Sequence, residues 1–249
     1  MFDLNQIKLH RKKYKENIVN SEFYQFICTD IIDRLTQIDK SFSNALIIGQ
    51  TSSKILISLL NQILPSCNIT VSDSEDTTSY TPEGFDLIIF PFGLHWINDV
   101  QEFLYKITKY LHPDGIFLCN FPSSGTLRNL RIKLIEEESK MGIPHTPHIS
   151  PFIGFDQVSP LLQQAGFVEN IIDVEKIELE YESPLALMKT IQKIGESNAL
   201  KNARPHSVTK EVYKSLQKKD NKIFTDQINL VTSASSKRKN TIVTGITKT

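Results

Sequence analysis

The sequence predicts an α/β fold: a mostly parallel sheet with helices on both faces and an antiparallel strand at one edge. Three observations predict it. Short apolar runs at 45–48, 68–71, 85–90 and 116–121 alternate with segments of helical spacing, the pattern of parallel strands covered on both faces. The first run ends in Gly49, then polar residues, then a periodic apolar segment. That is the strand–turn–helix order that opens a nucleotide-binding sheet, with the ligand over the turn and the helix N-terminus. Late in the chain, strand-like stretches follow helices, with Ile177, Leu179 and Tyr181 alternating with Glu178 and Glu180.

Composition sets the outer bounds. At 249 residues the chain is long enough for one large α/β domain. The expected division is a helical arm over 1–40, a nucleotide-binding half over 41–121, and a half with substrate- or partner-side helices over 122–249. It is 40% hydrophobic and 22% charged, as soluble globular proteins are. Basic and acidic residues number 28 each, so no global field recruits nucleic acid or an anionic membrane. No apolar run approaches the ~20 residues that span a bilayer, and no transmembrane segment is expected. Cys28, Cys67 and Cys119 lack metal-ligand spacing. An odd count without a signal peptide points to a reducing compartment such as the cytoplasm.

In order, residues 1–20 place Lys8, Arg11, Lys12, Lys13 and Lys15 around His10 and Tyr14. This is either a solvated amphipathic segment or a substrate-facing arm. Phe23, Ile27, Ile31, Leu35 and Ile38 form one stripe of a helix over 21–38, capped by Asn20 or Ser21. Strand 45–48 leads through a loop at 50–53 to a helix ending before Pro65. Strand 68–71 leads to Asp73, which either holds a ribose diol or is a solvated turn acid. Residues 74–84 have no periodic apolar pattern. They are too few for a crossover helix and another parallel strand, which need a dozen or more residues. The sheet is therefore expected to lack one strand there.

Strand 85–90 runs into PFGLHWINDV, and Asn98 or Asp99 caps a helix through Leu111. A turn at 112–115 precedes strand 116–121. Helices follow over 125–140, 156–165, 183–194 and 209–218, with strands near 167–181, 223–231 and 241–246 and a basic turn, SSKRKN, between the last two. His145 and His148 lie among prolines with no carboxylate at metal spacing, so no metal site is expected. Trp96 reads as a core anchor, and His95 as either packing or ligand-facing at the carboxyl end of a strand. Arg128 and Arg131 lie on a solvated helix face or hold a carboxylate. Gly195 is a helix C-cap, with Glu196 and Asn198 just beyond it.

FDLIIF followed by LHWIND and then LHPDGIFLC resembles the Rossmann-like class I S-adenosylmethionine-dependent methyltransferases. FDLNQIKLHRKKY, GTLRNLR, PHISPF and GESNA are similar to one branch. That branch holds the mitochondrial complex I assembly factor 5 and its bacterial relatives, cousins of the malonyl-carrier-protein O-methyltransferase of biotin synthesis. The resemblance implies a seven-stranded sheet and S-adenosylmethionine as cofactor. It implies either methyl transfer, to a carboxylate in the biotin cousin, or arginine hydroxylation on a complex I subunit, as in the assembly factor. It also admits the mitochondrial matrix as a reducing compartment.

The family's first loop reads acidic-Leu-Gly-x-Gly-x-Gly. Here Ile47 takes the acidic position, and Thr51 and Ser53 take the second and third glycine positions. Ser233 and Ala234 stand where the family has Gly-Trp. The cofactor positions carried over are Gly49, Thr51, Asp73, Pro91, Leu94 and His95. The substrate or partner cleft positions are Tyr14, Arg128, Arg131, His148, Glu196 and Asn198. Losing two or three polar contacts, at roughly 1.5–3 kcal/mol each for charged groups, implies weak or absent cofactor binding. Two functions follow: an enzyme of this family with a weakened site, or a non-catalytic scaffold that binds a protein partner such as a respiratory-complex subunit.

Overall fold

A computed structural model of the chain describes residues 1–72, 80–201, 208–217, 223–239 and 241–242, with only the backbone described for residues 50–53. The chain forms two compact units. One comprises Met1–Ile18, Pro122–Phe152 and Glu175–Leu230. The other comprises Val19–Phe121, Ile153–Val174 and Val231–Thr249.

The second unit holds the sheet. Helix α3 (Glu22–Thr36) precedes β1 (Asn44–Ile48), α4 (Gln50–Ile63), β2 (Asn68–Ser72), β3 (Phe85–Pro91), α5 (Val100–Tyr110) and β4 (Leu111–Pro122). Helix α7 (Phe155–Ala165), the first part of β5 (Glu169–Tyr181) and the last part of β6 (Phe224–Ser236) complete it. Strand order is β2-β1-β3-β4-β6-β5. Strands β1, β2, β3 and β4 pair in parallel. The end of β6 meets the start of β5 through Val168 N–H donating to the Ser236 carbonyl at 2.8 Å, as antiparallel strands do. Among the described residues the sheet has six strands, and along the chain none falls between β2 and β3.

Alternation along the strands sorts the core into two layers. Leu46, Ile48, Ile88, Phe90 and Phe117 point to the face covered by Phe103, Leu104 and Ile107 of α5 and Val158 and Leu162 of α7. Ala45, Ile47, Leu87, Ile89 and Leu118 point to the face covered by Ile31 and Leu35 of α3 and Leu56 and Leu60 of α4. These positions are the ones the apolar runs picked out.

Several boundaries differ from the sequence expectation. The polar stretch at 50–53 is the first turn of α4, which starts directly after Gly49. Four residues without glycine or proline are compatible with helical backbone, so no separate loop is needed. The turn at 112–115 lies inside β4 as an irregularity: Phe85 pairs with Leu111 but Leu87 with Ile116. Ser235 and Ser236, expected in the basic turn, end β6. Lys237 then donates through Nζ to the carbonyls of Thr108, at 3.0 Å, and Leu111, capping the end of α5. The expected strand near 241–246 lies outside the described residues beyond Ile242.

The first unit carries the remaining helices: α1 (Leu4–Lys13), α2 (Lys15–Val19, through Ile18), α6 (Arg128–Lys140), α8 (Pro184–Lys193) and α9 (Lys210–Gln217). The basic N-terminal stretch is thus helical. Asp3 caps α1, its carboxylate accepting from Asn5 and Gln6 N–H. Leu130 and Leu134 of α6, Leu185 and Leu187 of α8, and Val212 and Leu216 of α9 share one apolar cluster. Helix α6 begins later than expected because Gly125 and Leu127 adopt positive φ, +87° and +55°. Its cap comes from distant sequence: the Asp226 carboxylate accepts from Asn129 and Leu130 N–H at 3.3 and 2.7 Å.

Glu137 of α6 ties this unit together. Its carboxylate meets Lys140 at 2.8 Å and Lys133 at 3.1 Å and accepts from the Ser215 hydroxyl of α9. The Lys140 and Ser215 hydrogen bonds overcome burial and, with Lys133, hold its carboxyl at about 2. A carboxyl depressed on folding stabilises above its unfolded pKa, about 4.3. That stability is lost as pH falls through the folded value. Glu137→Gln is expected to cost about 1–2 kcal/mol at pH 7, because both lysines are partly solvated. The gap to the parent should close as pH falls from about 4.3 towards about 2, which urea unfolding at a series of pH values measures.

Candidate functional site

In the sheet unit, the described cofactor positions expected from sequence lie at or just beyond the carboxyl ends of β1 and β3. Ile47 pairs with Ile89, so continuing the parallel register sets Gly49 beside Pro91, and Pro91 pairs with Asn120. Gly49 N–H donates to the Ser72 carbonyl at 2.8 Å, tying the turn to the end of β2. Gly49 has φ +104°, and a methyl group built on it would meet no atom of the described residues within 4 Å. Thr51 contributes backbone to the first turn of α4, and Asp73 lies outside the described residues.

The segment after β3 is tightly held. Phe92 has φ +44°, and Leu94–Trp96 form a short 3-10 turn. Pro91, Leu94, His95 and Trp96 are all buried. The His95 ring stands 4.8 Å from that of Phe92 and 5.0 Å from that of Trp96. Phe92 in turn meets Phe23 at 5.1 Å and Tyr24 at 6.1 Å. His95 packs between these two rings, and Trp96 is buried, as a core anchor is. Gly93 leaves no room for a side chain, since an added Cβ would lie 2.3 Å from the Phe90 ring. Gly93→Ala is therefore expected to cost about 1–3 kcal/mol as overpacking against a buried ring, measurable by chemical unfolding.

Ile47 is fully buried among Ile89, Leu56 and Leu60. It supplies an apolar contact to the core where the resembled family has an acid. An S-adenosylmethionine site here would rest on a reduced set: the Gly49 backbone, the α4 N-terminus and the 91–95 segment.

The cleft positions expected from sequence all belong to the other unit. Glu196 pairs with Arg11 at 2.9 Å, side chains 7% and 14% exposed. Gly195, φ +77°, packs so that an added Cβ would lie 3.1 Å from the Arg11 Cα, which brings the GESNA segment onto α1. Asn198 donates through Nδ2 to the Pro147 carbonyl at 2.9 Å. Arg131 donates to the Ser150 carbonyl at 3.3 Å. Both hydrogen bonds hold the Pro/His segment. Tyr14 ends α1 half-buried, with the Lys13 ammonium 5.2 Å from its ring centroid. Arg128 is exposed at the start of α6.

One residue of this cluster escapes sequence reasoning. Glu138 of α6 bonds His148 Nε2 at 2.7 Å through one oxygen and His145 Nδ1 at 2.9 Å through the other. A carboxylate does stand beside these histidines, contrary to expectation. It lies seven and ten residues away across the end of a helix, where no local spacing rule applies. Burial works to raise the Glu138 carboxyl; the two histidine bonds overcome it and hold it below its ordinary value. Among the described residues no group of three His, Cys, Asp or Glu side chains is placed to hold a metal.

Against known proteins, a family model described as a methyltransferase domain matches residues 25–119. The "Putative methyltransferase RP459" of Rickettsia prowazekii (strain Madrid E) is 41% identical over 222 residues, 82% of this chain and 97% of that protein. The chain belongs to the class I S-adenosylmethionine-dependent methyltransferase superfamily. Another member, the mitochondrial arginine-hydroxylase NDUFAF5 of Danio rerio, is 27% identical over 82% of this chain and 70% of that one. A crystal structure of the "putative methyltransferase (BH2331)" of Bacillus halodurans C-125 aligns with a TM-score of 0.51 at 10% identity. That alignment covers 85% of this chain and all of that one, and it shows the shared fold. Open α/β sheets bind ligands at the carboxyl ends of their strands, and Gly49 and Pro91 stand at those ends.

Proposed function

We propose that the protein is an S-adenosylmethionine-using enzyme of the branch that includes NDUFAF5, with a weakened cofactor site, and that it modifies a side chain of a protein partner such as a respiratory-complex subunit. The observation that carries this reading is Gly49: positive φ, at the carboxyl end of β1, with no atom of the described residues within 4 Å of an added Cβ. The cofactor, when bound, supplies the reactive group. The chain's own residues orient it through the Gly49 backbone, the α4 N-terminus and the 91–95 segment, with Asp73 for the ribose. On the acceptor side we assign Tyr14, Arg128, Arg131, His148, Glu196 and Asn198, with Glu138 orienting His148. In this reading residues 1–249 act as one methyltransferase-like domain in a reducing compartment, in keeping with three cysteines outside any disulfide.

Calorimetric titration with S-adenosylmethionine and S-adenosylhomocysteine tests it. With two or three polar contacts missing, dissociation constants on the order of 0.1–1 mM are expected. Micromolar binding would show that the altered turn costs nothing. No heat at several times that range would favour the second reading, a scaffold that keeps the sheet without the cofactor, for which the buried Ile47 at the acidic position speaks.

A further inference from the structure

We propose that Asn120 is a positioning residue for the cofactor edge, fixing the 91–96 segment without touching the ligand; this rests on the cofactor reading above. Asn120 is fully buried near the end of β4, paired with Pro91. Its Oδ1 accepts from Phe92 N–H at 2.9 Å. Its Nδ2 donates to the Ile27 carbonyl at 3.0 Å, with an Asp30 carboxylate oxygen at 3.5 Å.

The Asp30 carboxylate is itself held. One oxygen accepts from the Thr232 hydroxyl at 2.6 Å, and the other pairs with Arg34 at 3.2 Å. The amide therefore has acceptors on one side and a donor on the other. Turning it over would set its NH2 against the Phe92 N–H and its oxygen against two oxygens, so only one orientation satisfies the site.

What Asn120 holds is unusual backbone. A phenylalanine at φ +44° is disfavoured and persists where its surroundings over-determine it. Asn120 supplies the polar half of that determination, and the rings of Phe23, Tyr24 and His95 supply the apolar half. Because Phe92 follows the residue set beside Gly49, a change in its φ moves the segment that lines the cofactor edge. No neighbouring sequence signal marks this role. Asn120 sits inside an apolar strand, its hydrogen-bond partners come from α3 and from Phe92 just after β3, and β6 reaches it only through Asp30.

The test compares the parent chain with Asn120→Leu and Thr232→Val by amide hydrogen exchange of the 92–96 segment without ligand, and by titration with S-adenosylhomocysteine. Loss of one buried hydrogen bond corresponds to roughly tenfold. Exchange at 92–96 in Asn120→Leu should rise by about that factor and S-adenosylhomocysteine affinity should fall by about the same, while peptides from β1 keep their protection. Thr232→Val, which loosens the amide only through Asp30, should move both in the same direction by a smaller factor. It decides the matter if Asn120→Leu does not fold.

Unchanged exchange at 92–96 in the folded variants overturns the proposal. So does faster exchange with affinity kept within about twofold of the parent. A parent that binds no S-adenosylhomocysteine overturns the cofactor reading instead. The ligand-free exchange then still supports or overturns the holding of the segment.

Discussion

Glu138→Ala is expected to lower the unfolding free energy by about 2–4 kcal/mol at pH 7, the largest stability loss of any single polar substitution considered. The Glu138 side chain is 3% exposed and that of His148 6% exposed. Truncation strands a buried imidazole N–H as well as releasing His145, and an unsatisfied buried donor carries its full desolvation cost. Glu138→Gln keeps one acceptor and should lose about half as much. The carboxyl is depressed in the folded state, so its contribution is complete above the unfolded pKa of about 4.3 and disappears as pH falls through the folded value. Urea unfolding of the parent and both variants at pH 7 and in acid reads all three statements. Equal stability of the parent and Glu138→Ala at pH 7 would show that the paired histidines find other partners.

Gly49→Val is expected to have the largest effect on ligand binding. The position needs φ +104°, which a β-branched residue tolerates worst, at about 1–3 kcal/mol of backbone strain. Its branched side chain would also occupy the space in front of the α4 N-terminus. S-adenosylhomocysteine affinity should fall at least about 100-fold, equivalent to about 2.7 kcal/mol. Gly49→Ala separates the two costs. Its methyl meets nothing among the described residues within 4 Å, so its cost is mainly the backbone strain, and most of the binding should survive if the turn holds its shape. Titration calorimetry with parallel unfolding curves distinguishes a blocked site from a destabilised fold.

The sheet was legible in the sequence because its cause is local. Ala45–Ile48 and Leu87–Phe90 are apolar at every position, as a short strand covered on both faces is. The expectation that residues 74–84 are too few for a further strand falls largely on residues outside the described ones. Boundaries set by distant partners were not legible. Helix α6 starts where Asp226 caps it, β4 absorbs 112–115 through its pairing with β3, and the basic turn is shortened because Lys237 reaches the end of α5. The site shows the same division. Gly49 announces itself by its place after β1. Glu138 and Asn120 are ordinary residues in a polar helix and an apolar strand, and only the folded chain reveals what they touch.

The place of β6 also constrains the order in which the protein can be made. It lies inside the sheet, between β4 and β5, yet it is the last strand among the described residues. During synthesis on the ribosome, β1, β2, β3 and β4 emerge long before the strand that must cover the open edge of β4. Until Val231–Ser236 emerge, β4 and β5 each present unpaired backbone, a state prone to wrong pairing and capture by chaperones. A nascent chain arrested before β6 should therefore stay sensitive to protease across β4. Release of one further segment of chain should make it resistant in a single late step.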